Sequence, residues 1–346
     1  RESENMSTRF PPFTSFTSFN QVRQVVLDDG DIESNEVLHS SSAAFYGKRR
    51  NLKKAIYGEV VHYNMLNSVI GDELLRQADG NVAIKVIHKD KIRNLIGTIA
   101  EDPLKELSAM QFVGNDHPNL IGQIECCCDP YYIYSVMPFF YGGELLDFIL
   151  DEGPMNESLV RIMLSQLLNG FQRLQQLGIG HRDLSAENIL CEIDIERNIY
   201  RFVIIDFGMC VLCDRLDRYS NTDEAELTAA SFKSLPSYDP CGKYQYMAPE
   251  ILNRTSSTVN PMLCDMWALG IILFIALTGN FPMDYAVISD PKYRFIAQEM
   301  RLAEYFQYFQ MNISSNATNL IQNLLRPDPL QRLTIQQIRD HPWMNT

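Results

Sequence analysis

The amino-acid sequence predicts an α+β protein in which a small β-rich part precedes a larger, mostly α-helical part. Residues 51–137 carry short apolar runs of the strand type, such as residues 81–87, and one helical pattern at residues 105–112. After Glu144 the pattern turns helical, and residues 265–273 are apolar all round, which is typical of a buried central helix. With 346 residues and 46% hydrophobic composition, the chain can bury a large core in one big domain or two lobes.

Composition argues against two classes of function. The formal net charge of −13 disfavours nucleic-acid binding, because neutralising phosphates requires clustered Lys and Arg. The chain has no run of 18 apolar residues, and its most apolar stretch, residues 266–277, is expected to be too short to cross a bilayer. We therefore expect neither a nucleic-acid partner nor a membrane span.

The eight cysteines predict free thiols rather than a metal site. Cys210 and Cys213 form a Cys-x-x-Cys pair, but no second such pair and no histidine pair stands at zinc spacing. Free thiols are typical of a reducing cytosol, so we expect a cytoplasmic location. The chain opens on Arg1 rather than Met, so we expect that an upstream portion is missing.

Residues 1–50 are expected to be an extension rather than a domain. Residues 10–19 are turn-prone and low in complexity, yet they contain four phenylalanines, more than a solvated linker needs. Two interpretations stay open, a floppy arm and an arm docked on the lobe that follows.

The helical part is expected to begin with a long amphipathic helix. Asn156 is a suitable N-cap for a helix to about residue 177, with one apolar face formed by Leu159, Met163, Leu167, Phe171 and Leu174. This helix delivers the chain to the stretch with the most chemistry, His181-Arg182-Asp183-Leu184-Ser185-Ala186-Glu187-Asn188.

That stretch and the later Asp206-Phe207-Gly208 predict a site for a cation and phosphates. Asp183 on a loop can take a proton from a hydroxyl group. Asn188 and Asp206 offer an amide oxygen and a carboxylate, the hard oxygen ligands that Mg²⁺ prefers when it holds phosphates. The two groups are separated in sequence by an apolar hairpin.

The spacing resembles the catalytic and metal-binding loops of the eukaryotic protein kinases, His-Arg-Asp-x-x-x-x-Asn followed by Asp-Phe-Gly. The resemblance covers about residues 52–344 and implies a bilobal protein kinase fold. Its N-lobe would be residues 51–137, its hinge residues 138–141 and its C-lobe residues 142–344. The closing Arg332-Leu333 and His341-Pro342-Trp343 place it nearest the calmodulin-dependent-kinase-like branch, as a divergent Ser/Thr protein kinase.

The resemblance implies a role for each candidate residue. Asp183 would accept the substrate hydroxyl proton, Asn188 and Asp206 would bind Mg²⁺, and Lys85 held by Glu106 would bind the α and β phosphates of ATP. By residue type alone, Lys85 could instead be an edge-strand charge and Glu106 a solvated one. The implied nucleotide contacts are Gly58, Val60, Ala83, Lys85, Met137, Pro138, Phe139, Phe140, Glu144, Leu190 and Asp206.

The same resemblance implies two further contacts and brings two residues that are distant in sequence to one nucleotide. Asp265 would anchor the backbone of the catalytic loop, and Arg332 would pair with Glu250. Lys85 and Asp206 would converge on one triphosphate in a crevice between the two lobes.

The loop that covers the phosphates departs from the family's Gly-x-Gly-x-x-Gly-x-Val pattern. Lys53 and Ala55 stand where the first two glycines are expected, and only Gly58 remains. If both residues took left-handed conformations, each would cost about 1–2 kcal/mol and weaken nucleotide binding roughly tenfold. A long insert at about residues 62–80 is expected to separate the next two strands. The competing function is therefore a nucleotide-binding scaffold with little turnover, like a pseudokinase.

A second departure is an exchange of two residues. Kinases that act on Ser and Thr usually carry Lys two places after the catalytic Asp and Thr after a later Gly, whereas this chain has Ser185 and Lys243. We hypothesise that Lys243 reaches across to Asp183 and the γ-phosphate while Ser185 supplies the hydroxyl. The alternative is an exposed lysine. A distance beyond a water-bridged contact between Lys243 and Asp183 would exclude the exchange.

Regulation and substrate class depend on the activation segment, residues 206–250, and on two acids. Asp239 aligns with the residue expected to be phosphorylated, so we expect partial constitutive activity, to which an upstream kinase adds through a neighbouring hydroxyl. Glu144 and Glu187 match the acidic pair that binds Arg three residues before the target in basophilic kinases. They could equally be ordinary surface carboxylates. The segment's hydroxyl residues are Ser220, Thr222, Thr228, Ser231, Ser234, Ser237 and Tyr238.

Overall fold

The computed structural model describes residues 17–20, 37–40, 44–68, 75–95, 98, 101–194, 196–216, 228–236, 240–254 and 257–345. The chain divides into two compact units. The strand unit comprises Pro11–His117 and Ile121–Phe139, and the helical unit includes Pro118–Leu120 and Phe140–Thr346. Strands dominate the first unit and helices the second, so the predicted α+β fold is confirmed.

The described strands of the strand unit form a closed barrel in the order β1-β2-β3-β4-β5-β7-β6. Its interior is filled by alternate side chains, among them Val61, Val82, Ile84, Val86 and Val136. The strands are β1 (Thr17–Asn20), β2 (Val37–Ser40), β3 (Phe45–Ala55), β4 (Gly58–Ser68), β5 (Leu75–His88), β6 (Glu125–Cys128) and β7 (Tyr132–Pro138). Two helices, α1 (Lys89–Leu95) and α2 (Pro103–Val113), follow β5.

Within the expected insert, residues 62–68 and 75–80 instead continue two strands. Strand β4 has 11 residues and β5 has 14, so the prediction of short strands and a separating insert is wrong. Pairing continues from Gly58↔Ile87 to Ser68↔Leu75, with an irregularity between Asn64 and Leu66. Partner strands satisfy the backbone of this polar stretch, which its own sequence does not indicate.

The turn between β3 and β4 contains no left-handed residue. Neither Lys53 nor Ala55 is among the described residues with positive φ, so the cost expected for the missing glycines does not arise. Lys53 pairs with Val60 and Ala55 with Gly58 in an antiparallel hairpin whose register shifts between Asn51 and Lys53. Gly58 is required for a different reason, because a Cβ there would lie 1.7 Å from the carbonyl oxygen of Val86.

Parts of the N-terminal extension belong to the barrel. Strand β2 pairs with β3, and β1 runs parallel to β6 with Thr17 opposite Cys127. These pairings are those of a docked arm, whereas most of residues 1–43 lie outside the described part of the chain. Strand β3 already begins at Phe45, so it crosses the predicted boundary at residue 51, which stays a prediction.

The helical unit opens with α3 (Leu145–Glu152) and α4 (Glu157–Leu177). The Asn156 side chain accepts a hydrogen bond from the Leu159 N–H at 2.9 Å, which confirms the predicted N-cap. The buried stripe of α4 is wider than predicted, since Val160 and Leu164 are fully buried while Leu159 is only half-buried. Strands β8 (Ile179–Gly180), β9 (Ile189–Asp194), β10 (Ile199–Ile204), β11 (Val211–Leu212), β12 (Leu235–Pro236) and β13 (Thr258–Val259) lie between α4 and the next long helix, with α5 (Pro249–Leu252).

The central helix, α6 (Pro261–Thr278), is buried as predicted. It is 18 residues long, so the expectation that this stretch is too short to cross a bilayer is wrong as a matter of length. Among the described residues it is the one helix whose length and composition would allow a span, but 89% of it is buried inside the protein. It is therefore the core helix of this unit. The unit ends with α7 (Pro291–Tyr293), a π-helical turn at Arg294–Gln298, α8 (Leu302–Tyr308), α9 (Ser315–Leu324) and α10 (Ile335–Arg339).

A buried ion pair ties the end of the chain to α5. Arg332 donates from both terminal nitrogens to the Glu250 carboxylate, at 2.8 and 2.7 Å, and both residues are buried. The guanidinium also lies 5.3 Å from the ring centroid of Trp267 in α6. The predicted pairing of Arg332 with Glu250 is confirmed.

Candidate active site

The loop that carries Asp183 is anchored on the central helix. Asp265 accepts hydrogen bonds from the backbone N–H groups of His181 at 2.7 Å and Arg182 at 2.9 Å, which confirms its predicted role. Burial raises the pKa of Asp265 to about 6, although these donors and the neighbouring positive charges act to lower it. Arg182 has a φ of 69°, a left-handed conformation that the two hydrogen bonds hold in place.

One carboxylate oxygen of Asp183 has no hydrogen-bond partner among the described residues. The Asn188 side-chain amide donates to the Asp183 carbonyl oxygen at 2.7 Å and to Oδ2 at 2.9 Å. Oδ1 is buried and accepts no hydrogen bond from the described residues. A buried acceptor without a donor is unusual, so Oδ1 is the atom to which a substrate hydroxyl can donate.

The backbone stretches that carry Asn188 and Asp206 are hydrogen-bonded to each other. The Ile205 N–H donates to the Asn188 carbonyl at 2.9 Å, following the β9–β10 hairpin. Asp206 itself has a φ of 66°, and its Oδ1 accepts from the Gly208 N–H at 3.0 Å. Both predicted metal ligands are thereby held on neighbouring stretches of the helical unit.

These two residues fit a magnesium ion that is shared with phosphates. The nitrogen of the Asn188 amide is bonded to Asp183, which leaves its oxygen as the ligand. Within the described ranges no group of three or more His, Cys, Asp or Glu side chains could hold a metal. Mg²⁺ needs no such cage, because it commonly takes one or two protein oxygens together with phosphate oxygens and water.

The predicted pair of Lys85 and Glu106 is present in the strand unit. The Lys85 ammonium donates to Glu106 Oε2 at 2.6 Å, and the two residues are only 8% and 5% exposed. Lys85 is not an edge-strand charge, because β5 pairs with β4 on one side and β7 on the other. Glu106 lies in the first turn of α2, whose N-terminus is capped by Asp102. The alternatives, an edge-strand charge for Lys85 and a solvated Glu106, are therefore wrong.

Lys243 meets the condition set for the exchange hypothesis. Its ammonium lies 2.9 Å from Ser185 Oγ and 3.5 Å from Asp183 Oδ2. Ser185 is fully buried, whereas the Lys243 side chain is 35% exposed. The lysine is thus reachable from solvent while its charged end is bonded to the catalytic loop.

The predicted nucleotide contacts are placed in both units. In the strand unit, Met137 pairs with Ala83 and Pro138 with Val82 on neighbouring strands, and the Phe139 ring stacks on His62 at 4.0 Å. Gly58 and Val60 lie at the start of β4. In the helical unit, Glu144 forms a β-bridge with Leu190, and Arg201 lies over the Phe140 ring at 4.7 Å. Contact of these residues with adenine stays a prediction.

Sequence reasoning missed the part played by Tyr246. Its hydroxyl donates to Glu187 Oε2 at 2.9 Å and accepts from the Ala186 N–H at 3.3 Å. A tyrosine three residues after Lys243 carries no signal of this contact in the sequence. Of the segment's hydroxyl residues, Thr228 and Ser231 cap a short turn and Ser234 is exposed. Ser220, Thr222, Ser237 and Tyr238 lie outside the described residues, as does Asp239.

Comparison with known proteins agrees with this arrangement. A family model described as the protein kinase domain matches residues 71–344. The chain belongs to the protein kinase domain family. The kinase domain is 30% identical over 262 residues to CBL-interacting serine/threonine-protein kinase 26 of Arabidopsis thaliana, covering 76% of this chain and 52% of that protein.

Two other relatives are also named as kinases. The kinase domain is 31% identical to SNF1-related protein kinase catalytic subunit alpha KIN12 of Arabidopsis thaliana, covering 76% of this chain and 46% of the relative. It is 27% identical to a probable myosin light chain kinase of Dictyostelium discoideum, covering 80% of this chain and 77% of the relative. The chain spans about half the length of the two plant relatives.

Proposed function

We propose that this chain is a protein serine/threonine kinase that transfers the γ-phosphoryl group of Mg-ATP to Ser or Thr of protein substrates. The observation that carries the proposal is the catalytic loop, where Asn188 fixes one oxygen of Asp183 while the buried Oδ1 has no hydrogen bond from the described residues. Membership of the kinase family and the names of the relatives support the same reaction class.

In the proposed reaction the substrate hydroxyl oxygen forms a bond to the γ-phosphorus as the bond from that phosphorus to the bridging oxygen breaks. ADP leaves with the bridging oxygen, and the hydroxyl proton passes to Asp183 Oδ1. Asp183 therefore aligns the nucleophile and removes its proton, while Asn188 keeps the carboxylate from rotating.

Charge neutralisation would come from residues of both units. Lys85 would bind the α and β phosphates, since Glu106 holds its buried ammonium in one position. Asn188 and Asp206 would hold Mg²⁺, which neutralises phosphate charge when it is bound.

The competing function, a scaffold with little turnover, is not favoured. Its main motive was the loss of two glycines in the phosphate-covering loop, and the hairpin at Lys53–Gly58 forms without left-handed residues. Lys85, Asp183, Asn188 and Asp206 are all present, and each has a partner that positions it.

Transfer of radiolabelled phosphate from ATP to a basic Ser/Thr peptide tests the proposal. The wild-type chain is expected to label the peptide, and Asp183→Asn is expected to lose about 10²–10⁴-fold in rate, the usual contribution of a general base. Equal rates for the two proteins would overturn the assignment of Asp183.

We further propose that the substrate carries Arg three residues before the target. Supporting this, Glu144 is half-buried at the start of α3 and Glu187 is held by the Tyr246 hydroxyl, so both carboxylates are positioned. Peptides that differ only by Arg or Ala at that position provide the test. A lower KM is expected for the Arg peptide than for the Ala peptide. Loss of this difference in Glu144→Gln or Glu187→Gln would show that the substituted carboxylate binds the substrate arginine.

We also propose an intracellular location in a reducing compartment. The structure holds all eight cysteines as thiols, and seven of them are buried. Burial raises the pKa of Cys191 and Cys213 to about 12, which keeps these thiols protonated and unreactive. Titration of the unfolded chain without reductant is expected to find eight thiols.

A further inference from the structure

We propose that Lys243 is a catalytic residue that contacts the transferred phosphoryl group, so that the segment at residues 241–246 supplies the catalytic cation. The inference rests on the proposed kinase function and deepens it. Its basis is the position of the Lys243 ammonium, 3.5 Å from Asp183 Oδ2 and 2.9 Å from Ser185 Oγ.

The Lys243 ammonium contacts Oδ2 of Asp183 and not Oδ1, the oxygen that would accept the proton. Lys243 and Asn188 both contact Oδ2 of Asp183, whereas the buried Oδ1 accepts no hydrogen bond from the described residues and keeps its capacity to accept one from a substrate hydroxyl. An ammonium has three N–H donors, of which Ser185 and Asp183 account for two. The third can donate to an oxygen of the phosphoryl group that approaches Oδ1, because the side chain is 35% exposed.

The charge is the one that phosphoryl transfer requires at this place. Within the described residues, Lys243 is the cation within ion-pair distance of Asp183. Without it, the negative carboxylate and a negative phosphoryl group would face each other across the transferred proton. A fixed cation stabilises the charge on the phosphoryl oxygens in the transition state. The hydrogen bond to Ser185 Oγ holds the Lys243 ammonium in position.

Three residues of the segment at residues 241–246 contact the catalytic loop. Besides Lys243, the Tyr246 hydroxyl accepts from the Ala186 N–H and donates to Glu187. At Gly242, which has a φ of 91°, a Cβ would lie 2.6 Å from the Arg182 carbonyl oxygen. The segment therefore packs directly on the loop, and any displacement of it would withdraw the cation. Activity should then depend on the position of this segment even when nucleotide is bound.

A purely structural role for Lys243 makes a different prediction. If the lysine only held the segment in place, its loss would disturb peptide binding and raise KM. If the ammonium contacts the phosphoryl group in the transition state, its loss would lower kcat with little change in KM.

The experiment measures kcat and KM for ATP and for a basic Ser/Thr peptide in the wild type and in Lys243→Met, which keeps the aliphatic stem and removes the charge. We expect kcat to fall about 10²-fold, as for loss of one electrostatic contact to a transition state, with both KM values within about threefold. Lys233→Ala is the matched control, since Lys233 lies within residues 206–250 but outside residues 241–246, pairs with Asp214 at 3.7 Å and has a 50% exposed side chain. It should keep wild-type rates.

Chemical rescue distinguishes a missing charge from a misfolded variant. Lys243→Ala is expected to recover part of its kcat when ethylammonium chloride is added, and none with the same concentration of sodium chloride. A wild type that transfers no phosphate would remove the proposed function itself. An active wild type with unchanged kcat in Lys243→Met, or with an effect confined to KM, would overturn the role of Lys243 alone.

Discussion

Gly242 shows how closely one residue can control the reacting carboxylate. A Cβ at this position would lie 3.1 Å from Asp183 Oδ1, the proposed proton acceptor, as well as 2.6 Å from the Arg182 carbonyl. Gly242→Ala is therefore expected to move the loop or the segment and to lower kcat by more than tenfold, since small misplacements of catalytic groups are costly. Steady-state kinetics and a thermal melt of the same protein would measure this.

Gly153 provides the matched control for this substitution. Its φ of 86° is nearly that of Gly242, but a Cβ there would meet no described atom within 4 Å. Gly153→Ala should cost about 1–2 kcal/mol of stability through backbone strain and leave kcat unchanged. Equal kinetic effects of the two substitutions would show that strain, and not contact with Asp183, matters at residue 242.

The buried pair of Lys85 and Glu106 makes a second prediction at the scale of residues. Glu106→Leu removes the carboxylate that neutralises a buried ammonium, so a loss of about 3 kcal/mol in the free energy of unfolding is expected. Lys85→Met/Glu106→Leu removes both charges and should recover most of it. Urea denaturation of the three proteins gives the comparison, and a double variant less stable than Glu106→Leu would contradict it.

How much of the site the sequence predicts depends on the kind of residue. Asp183, Asn188 and Asp206 could be predicted because their chemistry and spacing are distinctive, and Lys243 because it stands where another residue type is expected. Tyr246 could not, since its hydroxyl meets Ala186 and Glu187 only after two distant segments have packed. The unpartnered Oδ1 of Asp183 also depends on packing around Gly242.

At the scale of elements, the sequence predicts helices better than strands. The cap of α4 at Asn156 and the all-round apolar α6 are local signals, and both helices form where they are expected. The second half of β4 is rich in Asn and Ser and resembles a loop, yet it pairs with β5. Strand formation there depends on pairing with β5, and the local sequence gives no indication of that pairing.

The contact between α6 and the catalytic loop predicts a dependence of stability on pH. Burial raises the folded pKa of Asp265 from 3.8 to about 6, so the folded chain binds this proton more tightly than the unfolded chain. Its contribution to the free energy of unfolding therefore falls as pH rises from about 4 to about 6, by on the order of 3 kcal/mol. Other carboxylates titrate in the same range, so the contribution must be taken as a difference between proteins.

Asp265→Asn supplies that difference, because it removes the titrating group and keeps one acceptor for the loop. The stability of the wild type minus that of Asp265→Asn is expected to decrease from pH 4 to pH 6, as measured by urea denaturation in steps of pH. A difference that increases over this interval would mean that the hydrogen bonds from His181 and Arg182 outweigh burial and hold the pKa below its ordinary value.

At the scale of the whole molecule, the sequence predicts that Lys85 and Asp206 act on the same triphosphate although they belong to different units. Mg-ATP should then raise the Tm of the wild type, because it binds the folded chain. At a ligand concentration a hundredfold above Kd, binding adds about 2.7 kcal/mol to the free energy of unfolding. Lys85→Met should weaken this shift with and without Mg²⁺. Asp206→Asn should remove the part of the shift that EDTA abolishes.

The rate of phosphoryl transfer in the double variant tests whether the two residues work together. Groups that act as a unit are non-additive, so Lys85→Met/Asp206→Asn should be about as slow as the slower single variant. Independent contributions would instead multiply. Multiplied losses, together with an Mg²⁺-dependent Tm shift that survives Asp206→Asn, would show that the lysine of the strand unit and the carboxylate of the helical unit do not share one nucleotide.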